Sequence, residues 1–431
     1  MLTGTGSTRD LLTERQMESI CAEAFTHYRL SDKRVLAIIP DNTRSAPIDV
    51  MFRIVYKLLA PQVKLMDFIV ALGTHPPMTD AQINRRVGIQ QGERKTKYEK
   101  ARFFNHLWDN PQQLVSIGEI SANEVAELSN GLMREKVDVR INKIVFDYDI
   151  LLIIGPTFPH EVVGFSGGNK YLFPGIAGQD IIDMFHWLGA LITSPVIIGT
   201  KNTPVRKVVD KCAAFLPMQR IGLNLVVKGS GLAGLYAGNI EQAWAAAADL
   251  SNQLHIVYKD RPFKKVLSCA PEMYDDLWTG AKCAYKLEPV VADGGELIIY
   301  APHIKQVSVT HGKKIEAIGY HTRDYFLKQM NRFSHVPGGV LAHSTHVKGV
   351  GTFENNIEKS RITVKLATQM PADYCRKINL GYCDPESIHF SEWQNREDED
   401  ILFVPKAGET LYRLKNDPFR ANSYQLSAFS F

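Results

Sequence analysis

The stretch from Pro159 to Gly178, PHEVVGFSGGNKYLFPGIAG, holds the densest set of residues able to do chemistry. Its Ser166-Gly167-Gly168 turn leads to Lys170, so backbone N–H groups and an amine can approach an anion where side chains would block the way. It is not a Walker loop, since GxxxxGK[ST] is absent. By chemistry alone the segment reads equally as an anion site or as a structural turn. Two more polar clusters, DNTR from Asp41 and THPPMTD from Thr74, follow apolar runs in the same manner. His186, in DMFHWLG, reads by itself as a core or interface histidine on an apolar helix.

These clusters need a frame. Runs rich in Val, Ile and Leu at 34–40, 64–73, 148–155 and 223–229 have the near-continuous apolar pattern of strands buried on both faces. Helical patterns lie over 46–60, from Thr79 with Asp80 near an N-cap, and from Asn202. The alternation predicts an α/β fold with parallel or mixed sheets flanked by helices. Ligands in such folds bind outside the carboxyl ends of the strands. All three polar clusters follow strand ends, which points to one shared site.

A length of 431 residues exceeds one ordinary core and suits two domains with a cleft between them. The first is expected over 1–263. A smaller α/β domain over 264–404 begins where FKKVLSCAP repeats the strand-then-loop pattern, followed by a helix around 276–292 and a strand at 296–302. Within 331–390, SHVPGG, HSTHVKGVG and CDPES read as strand–helix connections, and 391–400 reads as an acidic exposed turn. Residues 92–102, GERKTKYEKAR, read as a solvated helix.

With 45% apolar and 22% charged residues and no run of about 18 uncharged apolar residues, the composition is that of a globular protein that does not span a membrane. The N-terminus lacks the apolar core of a signal peptide, so a cytoplasmic location is expected. Six separated cysteines without a CxxC suggest neither a zinc knuckle nor a disulfide framework. A net charge of +4 without a basic run argues against a nucleic-acid partner.

Residues 159–178 match the pattern PHxxxGFSGGxKxxxPGxAG, the signature of the nickel-dependent lactate racemase family, and the chain resembles that family from about residue 30 to 310. The resemblance implies a nickel-pincer nucleotide (pyridinium-3-thioamide-5-thiocarboxylic acid mononucleotide) attached covalently through Lys170, within the turn of Ser166, Gly167 and Gly168. It makes His186 the single protein ligand of nickel. Imidazole suits the fourth position of square-planar Ni²⁺ when the pincer supplies three. It assigns acid/base roles to His75 and His160, one on each face of the reacting carbon, beside Asp41 and Arg44. Arginine can grip a carboxylate with two hydrogen bonds, and aspartate can orient it or a nearby histidine.

Lys282 matches a family lysine that binds the substrate carboxylate from the second domain, and the family pattern returns the tail, 405–431, to the first. Trp278 and Thr279 stand where lactate-handling members typically carry Tyr and Gln, and the spacer from His75 to His160 is longer than theirs. The expected substrate is therefore a 2-hydroxy acid that is lactate-like, larger or more polar, or a sugar acid. His303, His346 and Lys348 either serve extra groups of it or face solvent. The expected partners are that acid and the enzymes that make the cofactor, with homo-oligomerisation left open.

The implied reaction removes hydride from C2 and the proton from its hydroxyl, then returns both from the opposite face. Histidines near their ordinary pKa suit the proton transfers, while the cofactor does the harder chemistry. A nicotinamide-dependent dehydrogenase would need GxGxxG after the first strand, which is missing after Pro40. A non-catalytic nucleotide- or hydroxyacid-binding protein has no use for a two-sided histidine pair. A zinc hydrolase built on His75, His106, His160 and His186 lacks a close pair such as HExxH.

Overall fold

The computed structural model describes residues 1–421. Seven strands form the first sheet: β1 (Leu2–Gly6), β2 (Arg34–Pro40), β3 (Leu65–Ala71), β4 (Phe103–Asn105), β5 (Ile150–Pro156), β6 (Gln219–Lys228) and β7 (Gly231–Asn239), in the order β1-β7-β6-β5-β2-β3-β4. Strands β6, β5, β2, β3 and β4 run parallel, while β7 and β1 add an antiparallel edge. Val35 to Ile39 and Ile150 to Ile154 are buried on both faces, as their unbroken apolar runs require. One face packs on the helices Glu14–Thr26 and Ile48–Leu59, the other on Gln179–Ile192 and Pro204–Ala213.

Five parallel strands form the second sheet: β8 (Phe263–Cys269), β9 (Val291–Ala301), β10 (Thr363–Thr368), β11 (Gly381–Tyr382) and β12 (Ile401–Val404), in the order β11-β10-β9-β8-β12. Its core also takes in Phe165, Ile198, Trp244 and Ile256 from the first part of the chain. The expected α/β class with parallel and mixed sheets is what the chain adopts. Leu411–Leu414 pairs in parallel with Ile256–Lys259. The fully buried Arg413 donates to the carbonyls of Ile198 (2.6 Å) and Pro195 (2.8 Å) and pairs with Asp417. Residues 422–431 of the expected tail lie outside the described residues.

Three local expectations fail. Residues 92–102 hold only a 3₁₀ turn, Glu93–Lys95, because Tyr98 is drawn into the core against Phe52 and Tyr56. The helix around 276–292 is broken into Leu277–Gly280 and Lys282–Tyr285, followed by a 3₁₀ turn containing Pro289, and β9 begins earlier than expected, at Val291. HSTHVK is no connection: it is the second half of the helix Gly338–Lys348, closed by Gly349 at φ 84°. That helix is buried nearly all round, so it carries no amphipathic period to read.

Candidate active site

Strands β5, β2 and β3 are neighbours, with Pro40 opposite Ala71 and Ile38 opposite Ile153. The three polar clusters therefore leave the same sheet edge side by side. The cavity there is lined by Asp41, Arg44, His75, His160, Ser166, Lys170 and His186. Trp278, Thr279, Lys282 and Tyr285, which follow β8, close it from the other side. Every proposed site residue except Gly167 and Gly168 thus faces one space.

His75 Nδ1 lies 2.5 Å from Asp41 Oδ2. The carboxylate is 4% exposed, and its other oxygen accepts from the backbone N–H and hydroxyl of Thr43. Burial alone would raise the Asp41 pKa; His75, Arg44 and Thr43 outweigh it and hold the acid far below its ordinary range. An ionised Asp41 takes Nδ1–H, which leaves Nε2 of His75 with a lone pair. Arg86 secures the loop by donating to the carbonyls of Arg44 (2.9 Å), Pro40 and Ala46 (both 3.4 Å).

His160 is set the other way. Its Nδ1 accepts from the Val162 N–H at 3.1 Å, so the neutral ring carries its hydrogen on Nε2. Burial, then the charges of Lys170 and Arg44, push its pKa well below the usual histidine range. The expectation of two histidines near their ordinary pKa therefore does not hold for His160. Glu161 Oε2 stands 3.3 Å from the same Nδ1.

The Ser-Gly-Gly turn differs from an open anion nest. The Gly168 N–H is committed to Asn224 Oδ1 at 3.0 Å, and both glycines sit at positive φ against Trp244 and Thr157, where a Cβ would crowd them. The buried Arg206 donates to the carbonyls of Phe165 (2.5 Å) and Gly167 (3.4 Å) and stacks 4.0 Å from the Trp244 ring, whose Nε1–H donates to Ser166 O. The turn is thus a rigid mount for Lys170. Burial, then the Arg44 charge, lower the Lys170 pKa to about 7, so a large share of the amine is unprotonated near neutrality.

His186 projects from the helix Gln179–Ile192. Its Nδ1–H donates to Ile182 O at 2.5 Å, which leaves Nε2 as a donor atom for a metal. Lys282 lies 4.6 Å over the Tyr274 ring, and burial pushes its pKa well down. Burial works against the Arg44 charge, but Asp41 together with Tyr171, Glu161 and Tyr285 outweighs it and raises the pKa.

Other expected residues sit elsewhere. His303, His346 and Lys348 do not line this cavity; Lys348 donates to Asn379 O at 2.7 Å. His106 bonds Ala177 O and Asn142 in the core and cannot join the other histidines on a metal.

A family model described as the lactate racemase N-terminal domain matches residues 8–196. A lactate racemase of Lactiplantibacillus plantarum is 26% identical over 229 residues, 52% of this chain and 49% of that protein. Another, of Thermoanaerobacterium thermosaccharolyticum, is 24% identical over 279 residues, 62% of this chain and 60% of that protein. Residues 8–196 thus carry a lactate racemase N-terminal domain. The chain's match spans about half to three fifths of the length of these relatives.

Among solved structures, a Thermotoga maritima protein is 33% identical over 95% of this chain and 100% of its own, with a TM-score of 0.87. The lactate racemase apoprotein of Thermoanaerobacterium thermosaccharolyticum shares the fold at 18% identity, with a TM-score of 0.67 over 96% of this chain and 100% of its own. Beside the residues of the family signature, sequence reasoning missed Arg86, Arg206 and Trp244. Each acts on a loop distant in sequence and carries no local signal. Glu161 stood inside the signature but drew no role.

Proposed function

We propose that this chain is a 2-hydroxyacid racemase or epimerase that works through a nickel-pincer nucleotide tethered to Lys170. The observation that carries this reading is the pair of histidines with opposite ring states, His75 and His160, bordering one cavity with Lys170 and His186. The donor set suits the group: an amine with lowered basicity can form the thioamide, and His186 offers one imidazole nitrogen to nickel. When bound, the group supplies the centre that takes and returns hydride.

The protein side of the reaction follows from the residues. Arg44 and Lys282 hold the substrate carboxylate, Arg44 by a two-pronged grip. His75 Nε2 takes the hydroxyl proton, and Asp41 stabilises the imidazolium that forms. His160 serves the opposite face: the imidazolium, its Nδ1–H facing Glu161 3.3 Å away, gives its Nε2 proton to the keto oxygen, which leaves Nε2 free to take a proton in the reverse direction. The burial of Asp41, His160 and Ser166 limits the access of water while C2 is oxidised. In this reading residues 1–263 carry the cofactor and both histidines, and 264–404 supply Trp278, Thr279 and Lys282.

Mass spectrometry of the Lys170 peptide, with nickel analysis, tests the tether on protein co-expressed with the cofactor-making enzymes. Chiral analysis of 2-hydroxy acids tests the reaction. A modified Lys170 with scrambled C2 is expected; an unmodified lysine without nickel, beside a positive control, rejects the reading.

A further inference from the structure

Outward of His75 the cavity opens into a second lobe whose walls carry Asn42, Asp275, Trp278, Ser308 and His311. The Trp278 ring packs against two imidazoles, His343 at 4.3 Å and His311 at 4.5 Å. His311 is 6% exposed, yet its Nε2 is buried without a hydrogen-bond partner. A buried polar nitrogen left this way is expensive unless something fills the place. Burial keeps the ring neutral, with its pKa lowered to about 4, so it offers one donor and one acceptor.

The charge of the lobe narrows what fits. No Lys or Arg is among the described residues that line it, while Asp275 is exposed there and, like Asn42, makes no hydrogen bond to another described residue. A second carboxylate would meet Asp275 with no lysine or arginine on the walls of the lobe to balance it. An alkyl or aryl group would cover His311 and leave its nitrogen unpaired. Hydroxyl groups donate to Asp275 and exchange bonds with Asn42 and His311, while the carbon chain lies along the Trp278 ring.

We propose that this lobe selects a 2-hydroxy acid whose chain beyond C2 carries several hydroxyl groups, an acid of the aldonate type. His311 and Trp278 are its specificity-determining residues. The proposal rests on the reading of the inner cavity as a 2-hydroxyacid site. A site built to bond hydroxyls discriminates strongly against analogues lacking them.

Calorimetric titration of the full chain, prepared with and without the cofactor-making enzymes, tests this with gluconate, lactate, malate and 3-phenyllactate as probes. Gluconate is expected to bind at least tenfold more tightly than lactate, with no comparable gain for malate or phenyllactate. His311→Leu should bring the gluconate-to-lactate ratio close to one. Asn42→Ala, at an exposed position that does not endanger folding, should lower it about threefold. Equal binding of lactate and gluconate, tightest binding of malate or phenyllactate, or no binding of any probe in either preparation overturns the proposal. A preference for gluconate in a cofactor-loaded protein that inverts no C2 centre rejects the racemase reading and leaves the lobe's selectivity standing.

Discussion

The carboxylate of Asp41 lies 2.5 Å from Nδ1 of His75, and the two residues meet only because β2 and β3 end side by side. This pairing sets the tautomer of His75. Asp41→Asn should keep the shape of the loop but let the amide donate to Nδ1, moving the ring hydrogen to Nε2 and removing the base. Turnover is expected to fall on the order of 100-fold or more. Lys170 modification should persist, and steady-state kinetics beside mass spectrometry of the same sample would check both.

Lys170 should label as an unusual amine. Competitive acylation followed by peptide mapping is expected to show its reactivity rising through a midpoint near pH 7, the value to which burial and Arg44 lower it. A midpoint near the ordinary lysine value would contradict the site's electrostatics.

The same shift has a consequence for stability. The folded pKa of Lys170 lies below its unfolded value of 10.5, so between about pH 7 and 10.5 the unfolded chain binds more protons than the folded one. This group therefore makes stability rise with pH across that window, and its unfavourable effect is full below it. Lys170→Met should remove that part of the slope, measured as urea midpoints against pH in the two proteins.

Arg206→Ala would unpin the carbonyls of Phe165 and Gly167 and expose the Trp244 face. Loss of such a buried network should destabilise the fold by about 3 kcal/mol. Denaturant unfolding would give the figure. A milder Trp244→Phe keeps the ring and loses only its bond to Ser166 O, so it is expected to lower the extent of Lys170 modification more than it lowers stability.

Gly164 sits at φ +85°, and a Cβ there would overlap the carbonyl oxygen of Thr200. Gly164→Ala is expected to destabilise by at least about 2 kcal/mol, seen as a lowered melting temperature, since backbone must move to admit the methyl group.

What the sequence determined by itself is local. Unbroken apolar runs placed β2, β3, β5 and β6, because strands buried on both faces need no polar alternation. The clusters behind those strands held Asp41, His75, His160 and Lys170, and the signature over 159–178 carried the resemblance that gave the four their roles. The helix Gly338–Lys348 escaped notice because burial on every side erased its period, and the turn of 166–168 read equally as an anion site or a structural turn, a choice that Asn224 on the Gly168 N–H decides toward the turn.

Only the tertiary structure decided the state of each group. Asp41 and His75 are 34 positions apart, Arg206 and Phe165 41, and Ser45 and Met273 228. Such pairings leave no periodic trace in the chain. The tautomers of His75 and His160, the lowered basicity of Lys170 and the outer lobe beside Trp278 all depend on which donors, charges and apolar walls surround an atom. Those neighbours are set by how β5, β2, β3 and the segment after β8 come together in space.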